Sequence, residues 1–108
     1  MKETFLESFN DPHYAKLRNS KTDIIGTWDD HDFGINDGTK FNPVKYESRS
    51  LFLDMLEEPK QSPRRINPEG IYFSKTIGDK IKIIVLDNRF SSDLKDSKGS
   101  AISNLGAV

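Results

Sequence analysis

At 108 residues, with 34% hydrophobic and 31% charged, the chain has room for one small domain and a modest core. Lys and Arg total 16 against 17 Asp and Glu, a formal net charge of −1, so no global field favours nucleic acid or a membrane surface and neither is expected as a partner; local charge is uneven. Cysteine is absent, which excludes disulfides and thiolate metal sites.

The opening residues 1–9 place Phe5, Leu6 and Phe9 at helical spacing. With two glutamates and no uninterrupted apolar core, this stretch is not expected to be a secretory signal peptide. Asp11-Pro12 is a helix start, a capping carboxylate followed by proline at the first helical position. That helix should run on through His13 to Arg18, with Tyr14 and Leu17 on one face. Ile24 to Trp28 reads as a short buried strand, and residues 29–43 as a polar loop with an Asn36-Asp37-Gly38 turn.

Asn42-Pro43 repeats the cap-plus-proline device. A helix is expected from Val44 to about Glu57, with Val44, Ser48, Leu51, Phe52, Met55 and Leu56 as its inward stripe. Pro59, Pro63 and Pro68 make residues 58–69 an irregular connection. Two β-rich runs then flank Gly78-Asp79 and predict a hairpin with a two-residue turn. The second run, Lys80 to Leu86, becomes wholly apolar and should end buried on both faces. Beyond Phe90 the pattern fades, and residues 91–108 read as a flexible segment. No stretch is long enough to span a bilayer.

The densest chemistry lies in Trp28–Gly38, where four acidic residues and one of two histidines fall within eleven positions. Asp29, Asp30 and Asp32 repel one another, and either a bound cation or full solvation relieves that repulsion. Hard cations and iron favour such carboxylates, often with imidazole nitrogen. Carboxylates beside His31 favour its imidazolium, which could donate to a phosphate leaving oxygen. Asn36 offers an amide to a metal or phosphate oxygen. The spacing matches neither an EF-hand loop nor the HExxH zinc pattern, and a solvated acidic loop is the commoner meaning of such a run.

The run Gly26-Thr27-Trp28-Asp29-Asp30-His31-Asp32-Phe33-Gly34-Ile35-Asn36-Asp37-Gly38 resembles the signature of the PhoD-like alkaline phosphatases (alkaline phosphatase D), which are metal-dependent phosphoesterases. The Asp11–Arg18 lead-in, the Phe52–Leu56 helix, and the Gly70–Ser74 and Ile83–Arg89 strands resemble that family's elements in the same order. The resemblance implies an α/β fold: residues 1–90 as part of a layered α/β/β/α metallophosphoesterase sandwich with short helices, one buried strand and a β-hairpin. It implies Asp30 as a metal ligand with Asp29 supporting the same metal centre, His31 as the phosphate-facing acid, and Asp32 as its orienting partner. Calcium and iron are the metals implied, with manganese or zinc as alternatives, and a phosphate ester is the substrate. The family is often exported.

Other polar residues have plainer readings. Arg89 should pair with Asp87 or another acid. Arg64-Arg65 could attract phosphate, but a solvated loop is the simpler expectation. His13 should be a surface helix residue, and Trp28, Tyr72 and Phe73 should be core.

The family's upstream Gly-Asp-x-x-Tyr/Asp element has no counterpart before Asp11, and no His follows His31 to supply its downstream Gly-Asp-x-His element. The expectation is therefore a central slice of a longer enzyme, needing the remainder of its parent domain for activity. The alternative is a non-catalytic ion-binding or interaction module left from such an enzyme.

Overall fold

The computed structural model describes residues 2–34 and 38–92. Four helices, a 3₁₀ turn and a hairpin follow in order: α1 (Lys2–Asn10), α2 (Pro12–Arg18), α3 (Asp30–Phe33), α4 (Lys45–Met55), the turn Pro63–Arg65, then β1 (Phe73–Ile77) and β2 (Ile81–Val85). The class is mixed α/β, as expected. No described helix is long and apolar enough to cross a membrane.

The α2 start forms as its sequence dictates. The Asp11 carboxylate accepts from the backbone N–H of His13 (2.9 Å) and Tyr14 (3.3 Å), and Pro12 fills a position whose N–H would have no helical partner. The Tyr14 hydroxyl donates to the Met55 carbonyl at 2.7 Å, fastening α2 to the end of α4. Arg18 closes the corner: its guanidinium lies 3.7 Å from the Phe9 ring centroid, donates to the Phe9 carbonyl (2.8 Å) and pairs with Glu57 (3.0 Å).

α4 is the centre of the packing, in contact with both α1 and α3. Its inner face differs from the expected stripe. Ser48, Arg49, Phe52 and Leu53 are the buried positions, while Leu51, Met55 and Leu56 are half-buried. Leu53 is fully enclosed within the cluster of Trp28, Phe33, Phe52, Ile71 and Phe90, drawn from distant segments that periodicity along one helix cannot foresee. Asn42 is not the N-cap either. Val44 holds that place without a side-chain bond, and Asn42 is buried, accepting from the Val44 N–H (3.1 Å) and donating to the Phe33 carbonyl (2.6 Å). It joins α3 to α4.

The core is aromatic. Trp28 lies 5.0 Å from Phe33, 5.6 Å from Phe52 and 6.5 Å from Phe90 between ring centroids, and Leu53 and Ile71 complete the cluster. Phe5 of α1 meets Phe52 edge-on at 6.3 Å.

Two strand expectations need correction. Residues 24–28 form no ladder with the described residues. Their ties run through side chains: the Arg64 guanidinium donates to the Gly26 carbonyl at 2.8 Å, and the Thr27 hydroxyl donates to the Leu86 carbonyl at 2.8 Å. The hairpin pairs Phe73 with Val85 and Ile77 with Ile81, so its loop has three residues, 78–80, not two. Phe73, Lys75, Ile83 and Val85 share the half-buried face. On the other face Ile84 is 65% exposed and the following Leu86 53% exposed, so the end of β2 is not buried on both sides. A two-stranded sheet has one covered face and leaves the other to solvent.

Candidate active site

The acidic run is delivered by an anchor that the sequence reading missed. Asp87 is buried and its carboxylate accepts four N–H donors: Trp28 Nε1 (2.9 Å) and the backbone of Ile71 (2.9 Å), Arg89 (2.9 Å) and Phe90 (3.0 Å). Gly70 is required beside it: with φ of +142°, a Cβ there would stand 2.6 Å from Asp87 Oδ2. By gripping the Trp28 indole, Asp87 fixes where the next residue leaves the core. That residue is Asp29.

The run is not the irregular loop expected. Asp30–Phe33 is one turn of helix closed by a capping box. The Asp29 carboxylate accepts from the Asp30 N–H at 2.9 Å, and Asp32 Oδ2 accepts from the Asp29 N–H at 3.2 Å. Asp30 Oδ1 accepts from the His31 N–H at 2.9 Å. Carboxylates at a helix start face its exposed N–H groups and partial positive charge, which offsets their mutual repulsion. Phe33 plugs the turn into the core, and Gly34 ends it at φ +131°.

Arg89 adds the counter-charge. Its Nε and Nη2 reach Asp29 Oδ1 at 3.0 and 2.7 Å. The ion-pair expectation for Arg89 holds, with Asp29 as the acid. Arg64 and Arg65 are not a solvated phosphate lure. Arg64 is buried, stands 4.1 Å over the Phe73 ring, and donates to Ile71, Gly26 and Glu58. Burial pulls its guanidinium below the ordinary range while the Glu58 carboxylate works the other way. Arg65 is tied to Asp54 (2.8 Å) and to the Pro59 carbonyl (3.0 Å). His13 is exposed on α2 and Trp28 is core, as expected, whereas Tyr72 is 43% exposed.

His31 and Asp32 face an open cleft of about 810 Å³ between α1, α2 and α3. Phe5, Tyr14 and Met55 give it an apolar wall, and Glu7 and Asp11 bring two further carboxylates. The geometry therefore places the histidine and one of its acids at a common opening. Asn36 lies outside the described residues.

A metal centre needs several converging donors. Asp30 and His31 offer the right atom types, but among the described residues no three His, Asp or Glu side chains gather into a ligand set. Asp29 and Asp32 already serve the helix turn. As they stand, these residues do not fit a complete metal centre, and further ligands would have to join them.

The turn is thus capped by two carboxylates, Asp29 and Asp32, that the resemblance assigns to the metal centre and to catalysis respectively. No family model, curated protein or solved structure matches this chain.

Proposed function

We propose that this chain is the central part of a PhoD-like metallophosphoesterase domain, hydrolysing phosphate mono- or diesters with metal-activated water and inactive without the rest of that domain. The layered sandwich belongs to the same proposal. The observation that carries it is the placing of His31 and Asp32 together on the cleft, on a turn fixed from behind by Asp87 and Arg89. In this reading His31 protonates the leaving oxygen, Asp32 orients it, Asp30 and Asp29 belong to the metal centre, and Asn36 contacts substrate. A bound calcium or iron, or manganese or zinc, would supply an activated water; Asp30 and Asp29 would hold it, and further ligands would have to join them.

The second reading is a non-catalytic module, favoured by the capping box, which gives Asp29 and Asp32 a structural duty. Aryl phosphate mono- and diester turnover by the purified chain, with each metal added in turn, separates the two. Metal uptake with turnover lost in His31→Ala supports the enzyme. Metal uptake without turnover fits both an incomplete domain and an ion-binding module, and turnover regained when the chain is extended by the missing metal-ligand elements then decides for the enzyme. Neither uptake nor turnover leaves the acidic run as a helix cap and the chain as a module.

A further inference from the structure

The helix that walls one side of the cleft is loosely seated. α1 contributes Thr4, Phe5, Glu7 and Ser8 to the lining that His31 and Asp32 share, yet none of its residues is buried. On its other side an apolar gap of about 200 Å³ lies between it and α4, lined by Phe5, Leu6, Phe9, Leu51 and Met55. It meets the core through Phe5, edge-on to Phe52 at 6.3 Å. Asp11 alone stands between α1 and α2, and Pro12 keeps it out of the helical region (φ −56°, ψ 130°), so the two helices meet at a break.

Arg18 holds the last turn of α1, through the Phe9 ring and carbonyl, and Glu57 holds Arg18 at 3.0 Å. Two features make this arrangement costly. The Arg18 Nε–H is buried and has no acceptor among the described residues. Glu57 is a non-glycine residue with φ of +58°. The Glu57 N–H donates to the Asp54 carbonyl (3.0 Å) and the Glu58 N–H to the Leu53 carbonyl (2.9 Å), a helix ending whose left-handed position ordinarily belongs to glycine. Glycine would close α4 with less strain; a glutamate there brings a carboxylate to Arg18. Left-handed non-glycine residues persist where their surroundings hold them, and they gather at switch regions.

We infer that α1 is a lid on the cleft, hinged at Asn10-Asp11 and held by a releasable latch between Arg18 and Glu57. With space on both sides and no buried anchor, α1 can move without dismantling the cluster of Trp28, Phe33, Phe52, Leu53, Ile71 and Phe90. Its movement changes the width of the opening that His31 and Asp32 face. The Glu57 side chain is 52% exposed, so the ion pair is weak enough to break and remake. Lids are drawn from the least stable parts of a structure, where few apolar contacts must be broken to open them. The inference concerns access to the cleft and holds whatever chemistry the cleft performs.

The test is amide hydrogen exchange of the full chain, followed residue by residue by NMR at several urea concentrations below the unfolding transition. The α1 amides should exchange through an opening that low urea leaves unchanged, while the α4 amides from Ser48 to Leu53 exchange through one that urea promotes. Glu57→Gln should speed α1 exchange by about two- to fivefold, the strength of such an ion pair, without speeding that of α4. Glu57→Gly removes the latch and the backbone strain together. It should loosen α1 to the same extent while the urea midpoint holds or rises, a combination that a merely stabilising ion pair would not give. The lid is overturned if α1 and α4 exchange with one urea dependence, if neither variant speeds α1, or if both variants speed α1 and α4 alike.

Discussion

Asp87 is buried and accepts four hydrogen bonds from three separate parts of the chain. One carboxylate organises the Trp28 indole, the entry to the hairpin and the chain beyond β2, joining segments 59 residues apart in sequence at Trp28. Asp87→Asn replaces an acceptor oxygen with an amide that opposes a donor N–H. Leaving a buried donor without an acceptor costs about 1–3 kcal/mol, and losing a charged acceptor adds to it. We expect a loss of about 2–3 kcal/mol, seen as a melting temperature lower by roughly 10–20 °C. A change below about 0.5 kcal/mol would mean that the four bonds add little. The residue was visible in the sequence only as a possible partner of Arg89. Its burial follows from Trp28 and Ile71, which lie far from it along the chain.

Among the elements, those built from local chemistry were legible and those built from long-range covering were not. The Asp11-Pro12 start and the hairpin follow from capping and β-propensity within a few residues. The strand expected at residues 24–28 forms no ladder with the described residues; Arg64 caps the Gly26 carbonyl, and the Thr27 side chain reaches the Leu86 carbonyl. The α4 stripe was displaced toward Leu53 by elements that arrive later in the chain. In the acidic run, the clustering of charge was legible and its local structure was not. Asp29-x-x-Asp32 before Phe33-Gly34 is itself a helix-start pattern with a terminating glycine, but four residues are too few to show periodicity. Asp32→Ala should therefore cost about 1 kcal/mol of folding stability through the lost hydrogen bond to the Asp29 N–H, measurable by urea denaturation. If stability is untouched, the capping box has no energetic role and the acidic side chain is held for another purpose. Asp29→Ala additionally releases Arg89, although that pair is exposed on the Asp29 side and adds at most about 1 kcal/mol.

At the scale of the molecule, acid should act through the surface carboxylates that fasten distant segments. Burial would raise Asp54, but hydrogen bonds from Lys60 and Arg65 outweigh it and hold the carboxyl below its ordinary 3.8. Asp23 is held low by the hydrogen bond from Lys75, which ties the segment before Trp28 to β1. A group with a depressed folded pKa stabilises the fold above its unfolded value and loses that contribution as pH falls through the folded one. Stability should thus be level above about pH 5 and decline below about pH 4. Urea midpoints across that range should show it, and Asp54→Asn should flatten part of the decline. A midpoint independent of pH down to about 3 would count against these ties.

The half-covered hairpin has a further consequence, for solubility. Ile81-Lys82-Ile83-Ile84-Val85-Leu86 is a six-residue run of high β-propensity with one charge, and four of its residues are exposed. Such a run can pair with a copy of itself along an open strand edge, and a single lysine is the usual safeguard against it. Lys82→Val should leave the monomer fold intact yet bring on concentration-dependent, thioflavin-positive aggregation. If light scattering of that variant stays at the level of the parent, the geometry of the hairpin rather than its charge keeps the molecules apart.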